Sequence, residues 1–125
     1  MNNYFCVLVS GVILCTATPS LAHHSFAAQY DPDRPVTLKG VVTKIEWTNP
    51  HARFYIDVTD EAGNVINWNL ELASPNILNR NGWSRNFVAL GEEVTVDGSL
   101  ARDGSKMANA LTVTLADGTV AGARE

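Results

Sequence analysis

VTLKGVVTKIEW, residues 36 to 47, decides the fold. Val36, Leu38 and Gly40 alternate with Thr37 and Lys39, the period-2 pattern of a half-buried strand. The parity then flips, and Val41, Ile45 and Trp47 become the apolar set. A flip at Gly40-Val41 predicts a β-bulge at the glycine, bending one long strand so that it serves two sheets.

Downstream, Ala52 to Thr59 places Ala52, Phe54, Ile56 and Val58 on one face, and Arg53, Tyr55 and Asp57 on the other. Asp60-Glu61-Ala62-Gly63-Asn64 supplies a hairpin loop. Val65 to Leu72 buries Ile66, Trp68, Leu70 and Leu72 and shows Asn67, Asn69 and Glu71 opposite. A short helix follows, with Ser74 as N-cap, Pro75 at the first helical position and Gly82 just past the end. Trp83 is placed to fold back on the last turn. Val94, Val96, Gly98 and Leu100 form a fourth strand, and Leu111, Val113 and Leu115 mark a fifth. The expectation is an all-β domain: a small five-stranded OB-like Greek-key barrel with one short helix between strands three and four. A generic meander barrel or small sandwich is the alternative. Trp47, Trp68 and Trp83 fit inward or helix-stop positions and are expected in the core.

The chain has 125 residues, enough for one modest core. Its front is different in kind. Tyr4 to Ala17 (YFCVLVSGVILCTA) is apolar and uncharged, and Pro19 and Ser20-Leu21-Ala22 follow. That layout predicts a signal peptide cut after Ala22, although Asn2 and Asn3 stand where Lys or Arg is usual. A retained N-terminal anchor is the alternative. The division expected is a signal peptide at 1–22, an extended arm at 23–35, the barrel at 36–116 and a frayed tail at 117–125. Cys6 and Cys15 leave with the signal, so the remaining domain stands without disulfides. A periplasmic or secreted location follows. The net charge of −4 argues against nucleic acid and anionic lipid surfaces as partners. The expected partner is a periplasmic protein or a small ligand, with no stable membrane insertion after signal removal.

A cut after Ala22 makes His23 the first residue. Its amine and ring nitrogen can chelate one metal ion, a second imidazole completes a nitrogen set suited to Cu(II), and the candidate ligands are His23, His24 and His51. His51 sits in Trp47-Thr48-Asn49-Pro50-His51, a rim loop over which the arm can lie. Copper is the cofactor this pattern suits best; zinc is possible but less well matched, with no cysteine and no clear fourth ligand. The plainer alternative is a polar arm with two solvated imidazoles, and a His51 that caps its loop. The other candidate site is the outward face of strands two and three: Arg53, Tyr55, Asp57, Asn67, Asn69 and Glu71. It would hold a protein or saccharide, and it is equally what a solvated sheet surface looks like. Ser25, His24 and Asp31 lie on an arm that gives a nucleophile no rigid support or oxyanion hole, so a non-enzyme is expected.

His23-His24-Ser25-Phe26-Ala27-Ala28, Trp47-Thr48-Asn49-Pro50-His51, Glu71-Leu72-Ala73-Ser74-Pro75-Asn76, Gly82-Trp83 and Asp103-Gly104-Ser105 together resemble domain-of-unknown-function family 6152. The resemblance spans almost all of the chain after residue 22. Gln29-Tyr30 stands where an acidic-aromatic pair is usual. It implies small exported bacterial proteins and assigns no activity.

Overall fold

One 17-residue strand, β1 (Tyr30–Glu46), organises the domain in a computed structural model that describes residues 26–124. Its first part pairs antiparallel with β4 (Glu93–Ala101), and its last part pairs antiparallel with β2 (Arg53–Thr59). β2 pairs in turn with β3 (Val65–Glu71). β5 (Met107–Thr114) lies antiparallel to β4 and parallel to the end of β3, through Asn69, Leu70 and Glu71. That parallel β3–β5 contact closes the sheet into a barrel, and α1 (Pro75–Arg80) stands between β3 and β4 in sequence. The fold is all-β and OB-like, as the alternation predicts.

The inward set comes from facing strands. Phe54, Ile56, Leu70, Val94, Val96 and Val113 are buried, and Trp68 and Leu38 join them. Every inward residue expected of β2 and β3 is buried or packed on this cluster. The helix punctuation holds too. The Ser74 hydroxyl accepts from the Ile77 N–H at 3.4 Å, and Gly82 takes φ +90°. The Trp83 N–H then returns to the Leu78 carbonyl at 2.9 Å, which buries the indole over the barrel end.

Three expectations are corrected. The bulge in β1 falls between Val42 and Lys44, not at Gly40. Leu38, Gly40 and Val42 all face inward, and Val41 is 40% exposed. Gly40 stays in phase because a Cβ there would collide with the Asp57 carbonyl. The adjacent Val41-Val42 left the phase ambiguous, and an unpaired Thr43 absorbs the extra residue.

Residues 30–35 are not a separate arm but the start of β1, with Tyr30 opposite Ala101 and Pro35 opposite Ser99. Pro32 and Pro35 are tolerated because this stretch pairs on one side only. The tail from Asp117 is not frayed. Gly118 (φ +90°) turns the chain into a sixth strand, β6 (Val120–Gly122), paired with β5. The Ala73 N–H donates to the Ala123 carbonyl at 2.8 Å, and Trp83 Nε1 donates to that of Gly122 at 2.8 Å. The barrel therefore carries six strands, and the end of the chain is tied to its helix end.

Ile56→Ala should cost about 2–5 kcal/mol, because a fully buried side chain leaves a cavity that close-packed neighbours only partly fill. Gly40→Ala should cost at least about 1 kcal/mol by overpacking β1 against the β2 backbone. Urea unfolding monitored by tryptophan fluorescence measures both.

Candidate functional site

The candidate site lies where β2 begins and β3 ends. The Ala52 N–H donates to the Ala73 carbonyl and the Leu72 N–H to the Ala52 carbonyl, at 3.1 and 2.9 Å. This pairing brings His51 beside Leu72. His51 Nδ1 stands 3.1 Å from the Leu72 carbonyl oxygen. A carbonyl only accepts, so Nδ1 carries a proton. Nε2 has no hydrogen-bond partner among the described residues.

Beside it, Glu71 faces away from the core yet keeps only 9% of its side chain exposed. A charge so far from water needs partners. Arg53, directly opposite in the ladder, donates from Nη2 to Glu71 Oε2 at 2.7 Å. The buried Tyr30 hydroxyl donates to the same oxygen at 2.8 Å. Oε1 lies 3.9 Å from His51 Nδ1, too long for a hydrogen bond. Burial first, and then the Glu71 hydrogen bond, hold the Tyr30 phenol well above its ordinary pKa.

A cleft of about 70 Å³ opens between His51, Glu71, Leu72, Ala73 and Asn109 on the barrel and Phe26 and Gln29 on the N-terminal side. That is several times the space that a single water needs. Residues 26–29 form a helical turn over the cleft. Phe26 and Tyr30 lie ring to ring at 5.8 Å, and the Arg124 guanidinium sits 4.6 Å from the Phe26 ring centre.

The second candidate site divides. Glu71 and Arg53 belong to the His51 cleft, with Arg53 Nη1 also donating to Asn69 Oδ1 at 3.2 Å. Asp57 accepts from Asn67 Nδ2 at 2.8 Å, and that amide also reaches the Thr43 hydroxyl at 3.2 Å. The Tyr55 hydroxyl donates to Glu46 at 3.4 Å, while Lys44 Nζ stands 5.2 Å from its ring centre. Asn67 is exposed, whereas Arg53, Tyr55, Asp57 and Asn69 are half-buried. Five of the six thus satisfy one another across the ladder, and Tyr55 turns instead to Glu46 on β1.

His23 and His24 lie outside the described residues, as does the segment expected to be a signal peptide. Among the described residues no three His, Cys, Asp or Glu side chains group as metal ligands. No helix among them is long and apolar enough to cross a membrane. Sequence reasoning missed Tyr30, Phe26, Gln29, Asn109 and Arg124. An aromatic pair in an otherwise polar stretch, Phe26 and Tyr30, was the available signal.

The model of a family of unknown function, DUF6152, matches residues 11–110. The chain belongs to that family. The matched span includes His51, Arg53 and Glu71 and ends short of Arg124. No curated protein matches the chain closely enough to count as a relative. Its fold is similar to that of a mitochondrial single-stranded DNA binding protein from S. cerevisiae, Rim1, known from a crystal structure. The two are 16% identical with a TM-score of 0.50, over 66% of this chain and 93% of that one. At that identity the likeness is one of fold.

The Tyr30 phenol gives the site a pH signature. Its pKa is raised on folding, so its contribution is complete below the ordinary value of about 10 and is lost as pH rises beyond it. Tyr30→Phe should cost about 1–3 kcal/mol at neutral pH, through the lost bond to a carboxylate. It should also flatten the fall of Tm between about pH 10 and 12. Equal slopes for the two proteins would show that the phenol ionises freely.

Proposed function

We propose that the chain is exported to the periplasm or beyond, matures at His23, and is a non-enzymatic module that binds Cu(II) between its N-terminal histidines and His51. One observation carries this reading. His51 donates Nδ1–H to the Leu72 carbonyl and lines a cleft whose other wall is Phe26 and Gln29. A metal-binding histidine is typically oriented through its second nitrogen in this way. His24 precedes Phe26 by two residues and His23 by three, so at about 3.5 Å per residue both are within about 11 Å of the turn. The amine and ring of His23 supply a chelate, and the imidazoles of His24 and His51 complete nitrogen coordination.

The mutual pairing of most of the β2–β3 face leaves it few free donors for a saccharide. Rim1 is described as binding single-stranded DNA. For this chain the net charge of −4 speaks against a phosphate backbone as ligand.

Intact mass of the exported protein should place its first residue at His23. Competition titration should then give one Cu(II) per chain. His51→Ala, and a chain begun at Ser25, should each lose at least about tenfold in affinity, the scale on which even the outer partners of a metal ligand act. Copper affinity equal in the mature chain and the chain begun at Ser25 would sink the proposal.

A further inference from the structure

We infer that Arg102 and Arg124 are positioning residues that clamp the N-terminal turn onto the barrel and thereby build the outer wall of the cleft. The role in copper capture rests on the reading above; the clamp itself rests on geometry. Among the described residues before β1, 26–29 are helical and lie against the barrel. What holds them there comes from remote parts of the chain. Arg102, in the turn after β4, donates from Nε to the Ala27 carbonyl at 2.7 Å. Its backbone N–H donates to the Gln29 carbonyl at 2.9 Å, and Nη1 stands 3.6 Å from Asp31 Oδ2.

Arg124, after β6, grips the other side. Its guanidinium lies over Phe26, while Nε donates to Asn109 Oδ1 at 2.9 Å and Nη2 to the Ser99 hydroxyl at 3.3 Å. Asn109 and Ser99 are both buried, so they hold the guanidinium plane from beneath. Asn109 also lines the cleft. The two arginines thus fix the turn from which a three-residue tether leads to His23. Because the cleft has one wall from the turn and one from the barrel, a ligand touching both must stabilise docking, and docking must strengthen that ligand by the same factor.

The test uses the chain from His23 to Glu125, with variants Arg102→Ala, Arg124→Ala and Phe26→Ala. Phe26→Ala removes the turn's side of the contact without altering the barrel, should an arginine variant fold poorly. In metal-free protein, hydrogen exchange of the amides of residues 27–31 should rise at least about tenfold, with the Phe54 and Leu70 amides unchanged. Cu(II) affinity should fall in each variant toward that of His51→Ala, and the copper spectrum should change alongside. Unaltered exchange at residues 27–31 would overturn the clamp, whatever copper does. Increased exchange with copper affinity equal to the unmutated chain would overturn its positioning role, provided His51→Ala still weakens binding. If His51→Ala does not weaken it, the copper reading fails and the exchange result alone judges the clamp.

Discussion

A carboxylate nine-tenths removed from water sits where the parallel contact of β3 with β5 closes the barrel, and much of the site follows from satisfying it. Glu71 has the parity of an outward residue, since Leu70 and Leu72 beside it are core. The N-terminal part of β1 covers it, and Tyr30 is buried doing so. Covering an unpaired charge would cost several kcal/mol. The Arg53 fork and the Tyr30 hydroxyl converge on one oxygen and offset that cost. The other oxygen is left toward His51. Cover, ion pair and cleft are therefore one arrangement.

Legibility in the sequence followed the range of the forces involved. Alternation in Ala52–Val58 and Ile66–Leu72 reports which side of a ladder meets the core, and it held residue by residue. Ser74, Pro75 and Gly82 satisfy helix ends with their own neighbours, so they too were readable. Failures began where a local pattern was degenerate. Two adjacent valines at 41 and 42 hid the phase of β1. Leu111, read as marking an inward strand, is 47% exposed at a register shift between β4 and β5. Val120-Ala121-Gly122 carries too little apolar signal to announce a strand.

The site was less legible because it is assembled from distant residues. His51 stood out by type, but its tautomer depends on a carbonyl at the far end of β3. Glu71 was grouped with the β2–β3 face by parity alone, and nothing local shows that Tyr30 arrives to bury it. Arg102 and Arg124 carry no local pattern that singles them out. Their importance depends on β4 and β6 ending beside the N-terminal turn, a consequence of topology that no period encodes.

That topology sets how stability is distributed. Residues 26–124 contain no cysteine, so no disulfide ties the described N-terminal turn or β6 to the barrel, and hydrogen bonds, an ion pair and an aromatic contact do it instead. Chain ends are where local opening starts. Here the first and last described segments meet, with Phe26 under Arg124 and the Ala123 carbonyl bonded to Ala73 in the cleft wall. The barrel core is closed by β1 to β5 and does not require the turn. The turn can therefore detach at lower free energy than unfolding of the barrel, taking with it one wall of the cleft. The cleft thus has one wall, at Phe26 and Gln29, that can part from the other without opening the core, and anything filling it acts on the seating of that turn.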